Sequence, residues 1–182
     1  MRVIGGTYRS RRLAAPRGLA TRPTSDRLRE TLFNVLAPRI EGAVFADLYA
    51  GSGAVGIEAI SRGASLVYFV DNAPSAVAAI RSNLAALEIT SGFQILSTTV
   101  SAALRRLTER CSIVFLDPPY AAENDYAGAL SGIGDGADSL LTADGIVIAE
   151  HNRKMPLAEC YGPLKRYRVL EQGDAGLSFY TR

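Results

Sequence analysis

Asp47-Leu48-Tyr49-Ala50-Gly51-Ser52-Gly53-Ala54-Val55-Gly56 is the stretch on which the fold turns. It follows the apolar run Val44–Leu48 and leads into a helical pattern over 54–62, so it reads as a strand, a sharp turn and a helix start. Glycines at 51, 53 and 56 allow a tight turn, a close backbone approach to a ligand, and close packing of helix on strand. Backbone N–H groups at the start of such a helix are unpaired and favour negative charge.

Working outward, apolar runs alternate with helical patterns, the signature of βαβ units around a parallel sheet. The runs are Val44–Leu48, Leu66–Asp71, Phe93–Leu96, Ile113–Asp117 and Gly145–Glu150, with helices expected over 54–62, 74–88, 101–109 and 124–133. Continuous apolar runs mean strands buried on both faces. Several end in an acid, which then emerges at the carboxyl edge, where open α/β sheets bind ligands. Arg166–Leu170 and Leu177–Thr181, flanking Gln172-Gly173-Asp174-Ala175-Gly176, predict a closing antiparallel hairpin. The fold class is therefore α/β, Rossmann-like, with a mostly parallel seven-stranded sheet.

Residues 1–43 read differently and are expected to form a basic extension of the 44–182 body. Gly5-Gly6 between Val3-Ile4 and Thr7-Tyr8 suggests a short β-hairpin, and Thr24 or Ser25 can cap a helix running to Ala37 before Pro38. Residues 1–39 hold nine arginines against Asp26 and Glu30, a surplus of +7 in a chain whose net charge is only +2. A basic arm on a mildly acidic body suits a polyanion such as RNA, with Arg9, Arg11, Arg12, Arg22, Arg27 and Arg29 as candidate contacts. Arg22, Arg27 and Arg29 have a second reading, ordering the helix or touching a cofactor. Two cysteines, Cys111 and Cys160, make no disulfide framework, and no Cys/His cluster has zinc spacing. No apolar run approaches the roughly 18 residues of a membrane span. A monomer in the cytoplasm, with no metal and no membrane partner, is the expectation.

Three readings compete for the glycine turn. Residues 51–56 match G-x-G-x-x-G literally, as in dinucleotide enzymes, and a purely structural turn is another reading. Asp47, four residues before the first glycine, favours S-adenosylmethionine, whose ammonium group a carboxylate would match. No Gly-Lys-Ser/Thr follows, which disfavours a phosphate loop. Asp71, at the end of the second strand, is placed to accept hydrogen bonds from both ribose hydroxyls. The expected cofactor contacts are Asp47, Tyr49, Gly51, Ser52, Gly53, Asp71, Asn72 and Val100.

Asp117-Pro118-Pro119-Tyr120 follows the fourth strand directly. An amino group on a base is a poor nucleophile because its lone pair is delocalised into the ring. Asp117 can accept one amino hydrogen and the Pro118 carbonyl the other, while Pro119 supplies no competing N–H and Tyr120 can stack on the base. These four are the candidate catalytic residues. A base inside a duplex cannot offer its amino group to such a pocket, so the target is flipped out or already lies in a loop.

Arg2-Val3-Ile4-Gly5-Gly6, Arg9-Ser10-Arg11-Arg12-Leu13 and Arg22-Pro23-Thr24-Ser25-Asp26-Arg27-Leu28-Arg29-Glu30-Thr31-Leu32-Phe33-Asn34 resemble a known family. It is the RsmD-type guanine-N2 methyltransferases of bacterial 16S ribosomal RNA, and the resemblance spans nearly the whole chain. It implies an N-terminal hairpin on a methyltransferase fold, S-adenosylmethionine as cofactor, and 16S ribosomal RNA in the small subunit or an assembly intermediate as partner. By position, Asp47, Gly51, Gly53 and Asp71 carry over to the cofactor, and Asp117 to Tyr120 to the target amine. Where the family usually has Asn or Asp and then a small residue, this chain has Thr99-Val100, leaving a backbone N–H at Val100 for adenine. Rival readings are a DNA adenine-N6 methyltransferase, a protein glutamine methyltransferase, and a non-catalytic RNA-binding protein.

Overall fold

A computed structural model describes residues 1–16, 24–118, 123–134 and 140–182, the side chains of 123–125 excepted. The elements in chain order are α1 (Asp26–Leu36), β1 (Val44–Leu48), α2 (Ala54–Ser61), β2 (Leu66–Asp71), α3 (Pro74–Ala86), β3 (Phe93–Ser97), α4 (Val100–Leu104), β4 (Cys111–Leu116), α5 (Glu123–Gly134), β5 (Leu141–Asn152), β6 (Cys160–Tyr161), β7 (Leu164–Gln172) and β8 (Ala175–Thr181). One sheet runs β3-β2-β1-β4-β5-β8-β7-β6. Its first five strands are parallel and its last three pairings antiparallel. The α/β class is as expected; the sheet has eight strands rather than seven, the extra one being the two-residue β6 at the edge.

Strand alternation sorts side chains onto two faces. Phe45, Phe69, Ile113, Phe115, Ile146 and Ile148 point to the face covered by α1, α2, α3 and the N-terminal extension. Ala46, Leu48, Val70, Val114, Leu116 and Ala149 point to the other, covered by α4 and α5. Continuing the first parity places Asp47, Asp71, Asp117 and Glu150 on the α1–α3 side, at the carboxyl ends of β1, β2, β4 and β5. The chain reverses direction across the sheet between β1 and β4, the switch point where open α/β sheets form their ligand crevice.

Helix α1 starts because the Ser25 side chain accepts from the Leu28 N–H and Asp26 complements the helix dipole. Leu28, Leu32, Phe33 and Leu36 then fall on one buried face, each contributing about 1.5–3 kcal/mol of burial. The N-terminal pairing differs from the hairpin around Gly5-Gly6. Arg2 bridges Arg12, the Val3 N–H bonds the Arg11 carbonyl, and the Leu13 N–H bonds the Met1 carbonyl. Gly5-Gly6 instead lies flat on α2, where a Cβ on Gly6 would sit 1.7 Å from the Ser61 carbonyl oxygen. That contact, and Ile4 and Gly5 N–H bonds to Glu58 at 2.7 and 2.8 Å, outweigh the local turn signal. Helix α4 is five residues long rather than the nine expected over 101–109. Among the described residues, no helix is long and apolar enough to cross a membrane.

Candidate active site

The turn after β1 is held by its own acids. Asp47, 2% exposed, accepts the Gly56 N–H at 2.8 Å. Asp71 accepts the Gly51 N–H through one oxygen and the Ala73 N–H through the other, both at 2.9 Å. Carboxylate oxygens have two lone pairs each, so Asp71 keeps acceptor capacity for a ligand. Gly56 is required by packing, since a Cβ there would lie 2.3 Å from the Phe69 ring. Gly51, with φ +56°, faces open space instead. Tyr49 has a φ of 64°, uncommon for a residue with a side chain, at the rim of the same crevice.

A cavity of about 380 Å³ opens beside this turn, lined by Tyr49, Asp71, Asn72, Thr99, Val100 and Ala129 among others. Of the residues expected to touch a cofactor, Tyr49, Asp71, Asn72 and Val100 share this cavity. Asp47, Gly51 and Gly53 belong to the adjoining turn. Ser52 does not line the cavity: it is buried, with its hydroxyl 3.5 Å from the Met1 sulfur and its carbonyl taken by Asn83 at 2.9 Å. The α5 contribution, Gly128 and Ala129, was missed by sequence reasoning, because small residues in a helix carry no ligand signal.

Burial pushes the Asp47 carboxyl up to about 8; the Gly56 N–H opposes this and the nearby Asp71 charge adds to it. A buried carboxylate held against ionisation in this way is matched by a cationic ligand group. Combined with the ribose-type acceptor Asp71 and the apolar walls Val100 and Ala129, the donor set fits an adenosyl amino acid carrying an ammonium.

Asp117 lies just beyond β4, its N–H 3.4 Å from the Leu48 carbonyl. Its carboxyl is raised well above the usual carboxylate range by burial first, then by the Glu150 and Asp47 charges, with a hydrogen bond from Thr24 opposing. Pro118 is buried. Pro119 and Tyr120 lie outside the described residues, as does Arg22. Glu150 and Thr24 were not among the expected site residues, although the one is a strand-end acid and the other stands beside a helix cap.

The arginines divide by exposure. Arg9, Arg11 and Arg12 are exposed along the extension, Arg11 also donating to the Ala86 carbonyl at 2.9 Å, and Arg27 is exposed on α1. Arg29 is corrected: it is fully buried, so it offers no surface to a phosphate. Its guanidinium bonds the Arg2 carbonyl and Asp26 and lies 3.7 Å from the buried Glu58. It orders α1, the other role left open for it.

The family model described as "Conserved hypothetical protein 95" matches residues 1–181. "Putative rRNA methyltransferase YlbH" of Bacillus subtilis (strain 168) is 38% identical over 185 residues, covering 100% of this chain and 99% of that one. "Ribosomal RNA small subunit methyltransferase D" of Escherichia coli (strain K12) is 41% identical over 120 residues, which cover 66% of this chain and 60% of the relative. The solved structure "Putative methyltransferase yhhF from Escherichia coli" superposes with a TM-score of 0.84 at 30% identity, covering 100% of this chain and 97% of that one. The chain belongs to the family this model describes, the RsmD-type family that its N-terminal strings resemble.

Proposed function

We propose that this chain transfers a methyl group from S-adenosylmethionine to the exocyclic N2 amino group of a guanine in 16S ribosomal RNA, acting in the cytoplasm on the small subunit or an assembly intermediate. The observation that carries the reading is the placement of Asp117-Pro118 at the carboxyl end of β4, beside the β1 turn on the crevice side of the sheet. The relatives named for ribosomal RNA methylation support the substrate class.

Bound in the crevice, the cofactor supplies an electrophilic methyl carbon. Asp47 matches its ammonium, Asp71 its ribose, and the Val100 N–H the adenine. Asp117 orients the acceptor amine by taking one amino hydrogen, and the Pro118 carbonyl takes the other, which favours a tetrahedral nitrogen. The new N–C bond would form as the methyl–sulfur bond breaks with its electron pair left on sulfur, so that S-adenosylhomocysteine leaves, and the now acidic nitrogen passes its proton to an Asp117 oxygen. A carboxyl raised by its surroundings is a better proton acceptor than an ordinary one. Arg9, Arg11, Arg12 and Arg27 contact RNA phosphates.

The test is label transfer from radiolabelled S-adenosylmethionine to unmodified small subunits, naked ribosomal RNA, duplex DNA and protein extract. Label in the ribosomal samples alone is expected. Incorporation into DNA or protein instead would overturn the substrate, and cofactor binding without transfer to any of them would overturn the activity.

A further inference from the structure

A second cavity, of about 300 Å³, opens at the carboxyl end of β5. Tyr126, Met155, Leu157 and Tyr161 give it apolar and aromatic walls, and His151 and Asn152 supply polar atoms. None of these residues lines the cofactor cavity. The volume is at the lower limit of small-molecule sites, enough for one planar ring system.

Most of its polar atoms are already committed. The His151 ring bonds the Ser178 hydroxyl through Nε2 at 2.9 Å and the Asn152 carbonyl through Nδ1 at 3.0 Å, so it is a fixed wall. The Tyr161 hydroxyl accepts the Ala158 N–H at 3.1 Å. The Asn152 side chain is different: its Oδ1 accepts the Lys154 N–H at 2.9 Å, while its amide nitrogen has no acceptor among the described residues. The Tyr161 ring meets Tyr180 in a T-shaped contact, which occupies at most one of its faces. Met155 is 44% exposed, so its thioether surface has no full cover. A half-buried amide donor beside ring and thioether surface is matched by a flat heterocycle with acceptor atoms on its edge. Arg153 and Lys154 are exposed in the same loop, and their side chains have no partner among the described residues. They add positive charge where a nucleotide would carry its phosphate.

The cavity is also close to the reactive edge. Leu116 pairs with Ala149 in the parallel β4–β5 ladder, so Asp117 and Glu150 are the next residues on neighbouring strands, and His151 and Asn152 follow directly. One strand spacing and two residues of rise put the Asn152 backbone about 8 Å from that of Asp117. The Tyr126 hydroxyl ties the wall of the cavity to the same edge by donating to the Glu150 carbonyl at 2.7 Å.

We propose that this cavity is a nucleobase subsite, which takes one unstacked base of the ribosomal RNA near the target guanine, stacked on Tyr161 and covered by Met155, with its phosphate met by Arg153 or Lys154. This rests on ribosomal RNA as the substrate given above. A base held here cannot restack beside the target, so the subsite helps to keep the target guanine turned out toward Asp117.

Tyr161→Leu removes the ring and Tyr161→Phe keeps it; Met155→Ala removes the cover, and Arg153→Ala with Lys154→Ala removes the charges. Binding to naked 16S ribosomal RNA and to small subunits is measured by filter binding across a salt series, with methyl transfer and cofactor titration on the same samples. Tyr161→Leu is expected to weaken binding about 5- to 100-fold, the worth of one stacked base. Its slope of log affinity against log salt stays unchanged, because no phosphate contact is lost. Tyr161→Phe stays within about twofold of wild type, and the double alanine variant lowers the slope by roughly 0.7–0.9 for each phosphate released. Cofactor affinity stays within about twofold throughout. Should Tyr161→Leu fail to fold, Met155→Ala, at an exposed position, carries the test with an expected loss of at least about threefold. Tyr161→Leu and Met155→Ala both within twofold of wild type, which still methylates ribosomal RNA, overturn the subsite alone. Weaker cofactor binding by Tyr161→Leu overturns it too, because the ring would then be supporting the methyltransferase body. A loss seen on small subunits but not on naked RNA assigns the cavity to a ribosomal protein and overturns it as well. A wild-type chain that methylates no ribosomal substrate removes the underlying reading and this inference together.

Discussion

Arg29 and Glu58 are both fully buried, and the guanidinium Nε of one lies 3.7 Å from a carboxylate oxygen of the other. The pair is unequal. Glu58 also accepts the Ile4 and Gly5 N–H groups and the Arg62 guanidinium at 2.7 Å, whereas the Nε and Nη1 atoms of Arg29 have no hydrogen-bond partner among the described residues. Removing Glu58 therefore strands two backbone donors and two cations, while removing Arg29 strands little. Glu58→Ala is expected to cost about 3–5 kcal/mol and Arg29→Met less than half of that. Denaturant melts of the two variants check this; equal losses would mean that Arg29 is the keystone instead.

The two glycines that begin and end the β1 turn are expected to fail in different ways. Alanine at Gly56 meets the Phe69 ring at 2.3 Å, so Gly56→Ala loses about 1–3 kcal/mol of stability. Alanine at Gly51 meets nothing within 4 Å, so Gly51→Ala costs only about 1–2 kcal/mol for its positive φ and chiefly obstructs the crevice. Thermal melts and cofactor titration separate them: Gly51→Ala folds and binds cofactor at least tenfold more weakly. Unchanged affinity would remove Gly51 from the site.

Asp47 makes stability and binding depend on pH in opposite senses. Its carboxyl is raised from 3.8 to about 8 in the folded chain, so the folded state binds more protons than the unfolded one between these values. Its contribution to stability is present below about 4 and is lost as pH rises toward 8. A cationic ligand group favours the ionised form, so cofactor binding near pH 7 releases a proton and strengthens as pH rises to about 8. Calorimetry in buffers of different ionisation heats reads the proton directly. Asp47→Asn is expected to abolish the release and flatten the stability profile; proton release that survives the substitution would assign it elsewhere.

The exposed arginines of the extension are expected to act on phosphates without reading sequence. Replacing Arg9, Arg11 and Arg12 together by Ala lowers the magnitude of the slope of log affinity against log salt by about 2 to 3, roughly 0.7–0.9 for each phosphate that is no longer neutralised. Binding of ribosomal RNA across a salt series measures this. An unchanged slope would make these side chains bystanders.

The central sheet was legible because its strands are buried on both faces. Val44–Leu48 and Leu66–Asp71 coincide with β1 and β2 to the residue, since a short apolar run with an acid at or next to its end has few alternatives. The same logic failed at the margins. Cys160–Tyr161 pairs with only two residues of β7, too short for any periodicity, and Leu141–Asp144 joins β5 despite a polar, turn-like composition. Helix α4 stops at Leu104 because the run from Arg105 to Arg110 brings four charges and few apolar positions to pack. At the site, the glycine turn and the strand-end acids were readable as local chemistry. The Thr24–Glu150 bond was not, because it joins residues 126 apart, and Thr24 read locally as one of two possible caps. Arg29 read as a surface cation for a similar reason: nothing in its own stretch of chain reveals that Glu58 and the Arg2 carbonyl enclose it.

The roles given to the crevice, to Asp117 and to the basic extension converge on one product, a methyl group on a guanine amine. Nucleoside analysis by mass spectrometry of 16S ribosomal RNA, after reaction with wild type and with Asp117→Ala, reads that product itself. N2-methylguanosine formed by wild type and absent with Asp117→Ala, whose cofactor affinity stays within about threefold, is the expected outcome. A different methylated nucleoside, or N2-methylguanosine formed equally by both proteins, would refute the proposed chemistry.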